Sequence, residues 1–158
     1  MTSTLSKVPI SAWVLSTAEA MGALHATDRS AWAKCWADSY RALGGMSDSV
    51  AHKGCPRSAA HALWYLGWLK DSERQYMDWT IRHVADRLGK NAAYAVIAAR
   101  LLRCEQCAAS HSALWQRVRQ EFERETGARA AKSDQGAVKV ALLLSLDRML
   151  VAHGPSSA

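Results

Sequence analysis

Long stretches of this chain repeat apolar residues at helical spacing, and no proline interrupts them. Pro9, Pro56 and Pro155 lie outside these stretches or at the start of one, where proline does not break a helix. The apolar residues are rich in Ala and Leu but include one Phe and three Ile, which favours helix over strand. We therefore predict an all-α protein.

The spacing and the helix-end signals predict about seven helices. They lie near 11–25, 30–43, 56–69, 73–88, 91–106, 112–125 and 135–151. The fourth has the clearest ends, because Ser72 and Gln75 match a capping box and Gly89 matches a C-terminal stop. A chain of 158 residues has the usual size of one domain, so we expect a single helical domain over 1–158.

The two halves of the chain resemble each other when the sequence is shifted on itself by about 80 residues. At an offset of 83, Trp32 falls on Trp115 and Gly44 falls on Gly127. Chance is the alternative explanation, because amphipathic helices share their apolar period. We predict two pseudo-repeated three-helix units, over 10–70 and 91–151. A connector helix over 71–90 joins them, and a flexible tail follows over 152–158.

The sequence contains no signal peptide pattern and no apolar run of the roughly 20 residues that span a bilayer. We expect a cytoplasmic protein with no membrane partner. The four cysteines are then expected to be reduced.

Basic residues outnumber acidic ones, with 20 Lys and Arg against 14 Asp and Glu, for a net charge of +6. Such a balance favours anionic partners. Twelve of the twenty basic residues lie between Lys70 and Lys132, and Arg117 and Arg119 are among them. We predict a non-catalytic binding module that contacts nucleic acid through a basic face.

The predicted third helix carries a second face besides its apolar stripe. That face consists of Arg57, His61, Trp64, Tyr65 and Trp68. A basic and aromatic face is typical of a DNA-reading helix or of a protein-docking helix. Two alternatives stay open: the protein is an adaptor or inhibitor of another protein, or Trp64 and Trp68 pack between the two units.

Cys55 is the candidate reactive thiol. It precedes Pro56, so it is expected to cap a helix whose positive end, with Lys53 and Arg57, would favour the thiolate. The alternative is a small side chain that caps weakly and packs in the core.

Other chemistry is not indicated. Cys104, Cys107 and His111 would share a face of a continuous helix, but a fourth metal ligand is missing nearby, so we predict no metal and no cofactor. Neither a phosphate-binding glycine loop nor a hydrolase motif is present. We expect no enzymatic activity and no catalytic residues, and nothing indicates a small-molecule ligand.

The segment His52–Ala59, with the sequence HKGCPRSA, resembles an uncharacterised family of small bacterial proteins with a Gly-Cys-Pro-Lys/Arg-Ser/Gly-Ala element. The resemblance extends to Ala31-Trp32 and to Leu114-Trp115, and so spans most of the chain. It implies a shared helical fold and no established activity. Trp64-Tyr65 and the predicted connector helix depart from the family pattern.

Overall fold

The computed structural model describes residues 8–103, 110–133 and 136–151. Within these ranges the helices are α1 (Ile10–Leu24), α2 (Arg29–Ala42), α3 (Asp48–Ala51), α4 (Gly54–Tyr65), α5 (Ile81–Leu88), α6 (Lys90–Arg103), α7 (His111–Thr126) and α8 (Ala137–Leu146).

The all-α prediction is confirmed. Apart from the single-turn helix α3, each described helix overlaps one of the seven predicted segments. Extended pairing in the described ranges is limited to an isolated antiparallel bridge between Leu69 and Leu150. No described helix has both the length and the apolar character needed to cross a membrane.

Helix α6 forms the centre of the bundle. Every residue from 92 to 99 is buried, and five of these eight are Ala. Small side chains allow neighbouring helices to pack closely on all sides of α6. It contacts α4, α5, α7 and α8.

A tryptophan cluster fills the core beside α1, α2 and α4. Trp13 stacks on Trp36 at 4.0 Å between ring centroids, and Trp32 stacks on Trp64 at 5.1 Å. Trp13 Nε1 donates a hydrogen bond of 2.7 Å to the Trp36 carbonyl. These contacts attach the first two helices to α4.

The predicted third helix extends to residue 69, whereas α4 ends at Tyr65. The prediction is wrong here because Gly67 adopts a φ of 77° and turns the chain out of the helix. The N–H of Trp68 then bonds to the Leu63 carbonyl, in the six-to-one pattern of a Schellman motif. Trp68 therefore lies beyond the helix.

The predicted connector helix begins near residue 73, but α5 begins at Ile81. The capping box at Ser72 is not formed, and Thr80 caps the helix instead by accepting a hydrogen bond from the His83 N–H. The preceding segment is held by tertiary contacts. The Met77 N–H bonds to the Leu66 carbonyl, and Trp68 Nε1 donates to the Met77 carbonyl.

The two predicted units share some features and differ in others. Trp32 and Trp115 are both buried, as predicted, and α4 and α8 are each followed, two residues after their last residue, by a left-handed residue, Gly67 and Arg148. However, α6 packs closely on α8 in the second unit, whereas α1 packs mainly on α2 in the first. The repeat stays a prediction.

Candidate anion-binding cleft

A cleft of about 350 Å³ opens where α2 and α4 begin. Its walls carry two guanidinium groups, two hydroxyls, an indole and an imidazole. The lining residues are Arg29, Ser30, Trp32, Ala33, Arg57, Ser58 and His61. Such a set of donors fits an anion better than an apolar ligand.

The two walls are joined by hydrogen bonds that follow from the local sequence. Asp28 caps α2, because its carboxylate accepts from the Ala31 N–H at 3.0 Å. Trp32, one turn into α2, donates from Nε1 to the Arg57 carbonyl at 3.0 Å. The first turns of α2 and α4 are therefore held side by side.

His61 lines the cleft and is 2% exposed. Its Nε2 lies 3.0 Å from the Thr27 carbonyl oxygen. A carbonyl can only accept, so Nε2 must carry the hydrogen. In the neutral imidazole Nδ1 is then an acceptor, and among the described residues it has no hydrogen-bond partner.

Burial lowers the pKa of His61 below its ordinary value, because desolvation disfavours the charged imidazolium. The positive charges of Arg29 and Arg74 lower this pKa further, while the hydrogen bond to Thr27 and the charge of Asp28 oppose the shift. The neutral form of His61 is therefore favoured at neutral pH.

The arginines of the cleft occupy different positions. Arg29 reaches from α2 to the Leu88 carbonyl, to which Nη1 donates at 3.1 Å, so it links the cleft to the end of α5. Arg57 is half-buried on α4, one helical turn before His61. Residues four apart on a helix share a face, which places Arg57 and His61 next to each other along the same wall.

Helices α4, α6 and α8 also begin close together beside this cleft. Asn91 at the start of α6 donates from Nδ2 to Cys55 Sγ at 3.3 Å. A Cβ placed on Gly136, the residue before α8, would lie 3.4 Å from Pro56 Cγ. Helix starts carry partial positive charge, so this end of the bundle is electropositive. We call this end of the bundle, with Arg29, Arg57, Asn91 and Gly136, the basic end.

Several of the predicted contact residues are not accessible. His61, Trp64 and Trp68 are 2%, 5% and 1% exposed, so the prediction of one exposed aromatic and basic face is wrong for these three. Trp64 packs on Trp32 in the core, and because both lie in the first predicted unit, this contact is not the predicted packing between units. Tyr65 is half-buried beneath the guanidinium of Arg74, whose Cζ lies 4.6 Å from the ring centroid.

Arg117 and Arg119 lie on α7, are half-buried and do not line the cleft. Two residues apart on a helix, they are separated by about 200° around its axis. They leave α7 on opposite sides, so a single flat surface does not present both.

Cys55 lies at the start of a helix, as predicted. The N-cap residue is Lys53 rather than Cys55, because α4 begins one residue before the cysteine. Cys104 and Cys107 lie outside the described residues. Among those that are described, no group of three or more His, Cys, Asp or Glu side chains could hold a metal ion.

The fold and the cleft define an all-α protein with a basic pocket between two helix starts. The chain belongs to a family of unknown function (DUF6979), whose family model matches residues 11–148. No curated protein and no solved structure matches the chain.

Proposed function

We propose that this protein is a non-catalytic module that binds nucleic acid at its basic end, with phosphate groups held in the cleft between α2 and α4. The observation that carries the proposal is the pairing of Arg29 and Arg57 as cleft-lining residues on two adjacent helices. Guanidinium groups bind phosphate oxygens through charge-assisted hydrogen bonds.

The wider electrostatics favour the same ligand. Lys53, Lys90 and Arg129 are exposed, and Lys90 Nζ lies 3.4 Å from the Arg129 carbonyl oxygen, so these two lie together. The starts of α4, α6 and α8 add their partial positive charge. The chain as a whole carries a net charge of +6. A polyanion is attracted to such a surface more strongly than one small anion, because more of its charges interact with the surface.

The alternative of a protein adaptor with an exposed aromatic face has less support. Such an interface needs large aromatic side chains at the surface. Trp64 and Trp68 are instead buried in the described part of the chain.

The Gly54-Cys55-Pro56 element has a structural role in this proposal. Cys55 contacts the start of α6 through Asn91, and Pro56 contacts the residue before α8. The element thus brings three helix starts together. We expect other members of the family to keep small or cyclic side chains at these positions.

Fluorescence anisotropy with a labelled single-stranded oligonucleotide tests the proposal. Each phosphate contact releases condensed counterions, so the logarithm of the affinity should fall linearly with the logarithm of salt concentration, by about 0.7 per contact on a single strand. Arg57→Ala should weaken binding and reduce the magnitude of this slope by about 0.7, the contribution of one phosphate contact.

Arg124→Ala is the matched control. Arg124 is an exposed arginine on α7 with its side chain 68% exposed, and it does not line the cleft. Its removal changes the net charge by the same amount and should leave the slope unchanged. Absence of binding to any oligonucleotide at low salt would overturn the proposal. Equal effects of the two variants on the affinity and the salt slope would show that the cleft is not the place where phosphate binds.

A further inference from the structure

We propose that Trp79 and His83 form a stacking site for a base of single-stranded nucleic acid whose phosphates occupy the cleft. We call these two residues the stacking pair. Bases stack on aromatic side chains of proteins that bind single strands, whereas in a duplex their faces are covered by neighbouring bases. This inference rests on the proposed function and names the form of nucleic acid that the protein binds.

Trp79 differs from the other tryptophans in its exposure. The other six are buried, each 7% exposed or less, whereas Trp79 is half-buried. His83 beside it is exposed. The stacking pair is therefore aromatic surface that a ligand in solution can reach.

The rings in contact with Trp79 meet it at steep angles. Tyr65 lies 5.8 Å away between ring centroids at an interplanar angle of 69°, and His83 lies 4.3 Å away at 67°. Tyr65 is itself covered by Arg74, whose Cζ lies 4.6 Å from its ring centroid. Among the described residues, no ring stacks parallel on Trp79 and no guanidinium lies over it. The indole is thus the ring of this group that lacks a stacked partner.

The start of α5 holds the stacking pair in place. Thr80 caps this helix and accepts a hydrogen bond from the His83 N–H, so Trp79 is the residue just before the cap. Arg100 of α6 donates from Nη2 to the Trp79 carbonyl at 2.8 Å. Because these contacts fix the backbone of both residues, a base that stacks here orders little of the protein.

Two helices connect the stacking pair with the cleft. Helix α4 runs from Arg57, which lines the cleft, to Tyr65, which contacts Trp79. Helix α5 runs back to Leu88, whose carbonyl accepts a hydrogen bond from Arg29 of the cleft. Arg57 and Tyr65 are eight residues apart, which corresponds to about 12 Å along the helix axis. A stacked strand advances about 3.4 Å per nucleotide, so about four nucleotides cover this distance.

An exposed cation lies on the way between the two sites. Arg87 is exposed and follows His83 by four residues, which places both on one face of α5. The neighbouring Asp86 is also exposed but lies about 100° further around the helix axis. Asp78, the acidic residue before the stacking pair, is paired with Arg100 at 3.2 Å. A phosphate between the cleft and the stacking pair therefore meets a positive charge.

A strand without bases tests the inference on the unaltered protein. Two single strands of one length, one with thymine bases and one with abasic residues throughout, carry the same phosphates. The thymine strand should bind about tenfold more tightly, the effect of one stacked base, with a similar dependence on salt. Equal binding of the two strands would overturn the inference and leave the proposed function intact. Absence of binding by either strand at low salt would refute both.

Trp79→Ala provides the second readout, with Trp79→Phe as the matched control. The alanine variant should bind the thymine strand about tenfold more weakly and bind the abasic strand as the wild type does, because it loses the stacked ring and no phosphate contact. Trp79→Phe keeps a ring and should retain most of the preference for thymine. Thermal melts establish that both variants are folded. A folded Trp79→Ala protein that still prefers the thymine strand would contradict the role of Trp79.

Discussion

Leu69 and Leu150 pair across an antiparallel bridge, although they are 81 residues apart in the chain. The Lys70 N–H donates to the Met149 carbonyl at 2.6 Å beside this bridge. The paired segments follow α4 and α8, which also begin close together at the basic end. The two helices therefore run parallel, and the bridge holds their far ends together while the cleft opens at the start of α4.

The turn after α4 depends on Gly67, and this gives a stability prediction with an internal control. A Cβ on Gly67 would lie 2.4 Å from the Gln75 carbonyl oxygen, whereas one on Gly127 meets nothing within 4 Å. Both glycines have positive φ, 77° and 74°. Gly127→Ala should cost about 1–2 kcal/mol for the left-handed backbone alone, and Gly67→Ala should cost clearly more because the clash adds to it.

Urea unfolding of the two variants measures the difference. The matched φ values remove the backbone contribution from the comparison. Equal destabilisation would show that the segment around Gln75 does not pack against the turn in solution.

The lowered pKa of His61 predicts how stability depends on pH. Folded protein binds the proton on His61 less readily than the unfolded chain, so the unfolded state gains protons first as the pH falls. Stability associated with His61 is present above the unfolded value of about 6.5 and is lost as the pH falls from there through the folded pKa.

Thermal or urea unfolding between about pH 7.5 and pH 5 checks this prediction, since the His61 contribution changes within that interval. His61→Gln lacks the titrating group and should lose less stability over the same range. Identical pH profiles for the two proteins would mean that His61 is not buried in its neutral form.

Cys55 is predicted to be the most reactive thiol of the folded protein. Cys35 is 5% exposed, and burial together with the charge of Asp38 raises the pKa of its thiol. Cys55 is half-buried at the start of α4. Alkylation with iodoacetamide under native conditions, followed by peptide mapping, should therefore label Cys55 before Cys35. Earlier labelling of Cys104 or Cys107 would count against the prediction.

Much of the fold follows from sequence patterns alone. The apolar spacing and the composition predict the helices, and Trp32 and Trp115 are buried as expected. The errors lie where long-range contacts decide the backbone. Residues around Met77 continue a helical stripe in the sequence, but Met77 is held by hydrogen bonds to Leu66 and Trp68 instead. Gly67 was a local stop signal that could have placed the end of α4 correctly.

The site was only partly predictable. Arg57 and His61 stand out on the third helix, but Arg29 and Ser30 belong to a helix that is distant in sequence, and no local spacing connects the two pairs. Periodicity also cannot decide whether an aromatic face meets solvent or another helix. For Trp64, that depends on contacts with Trp32 that only the folded chain brings about.

The indole N–H signals of the tryptophans test the central claim most directly. Trp32 lines the cleft and donates from Nε1 to the Arg57 carbonyl. Trp13 and Trp68 do not line the cleft, and their Nε1 atoms donate to the carbonyls of Trp36 and Met77. In ¹H–¹⁵N correlation spectra, with signals assigned by single Trp→Phe variants, adding a single-stranded oligonucleotide should shift the Trp32 signal progressively and leave those of Trp13 and Trp68 in place. An unmoved Trp32 signal at saturating oligonucleotide would contradict binding in the cleft.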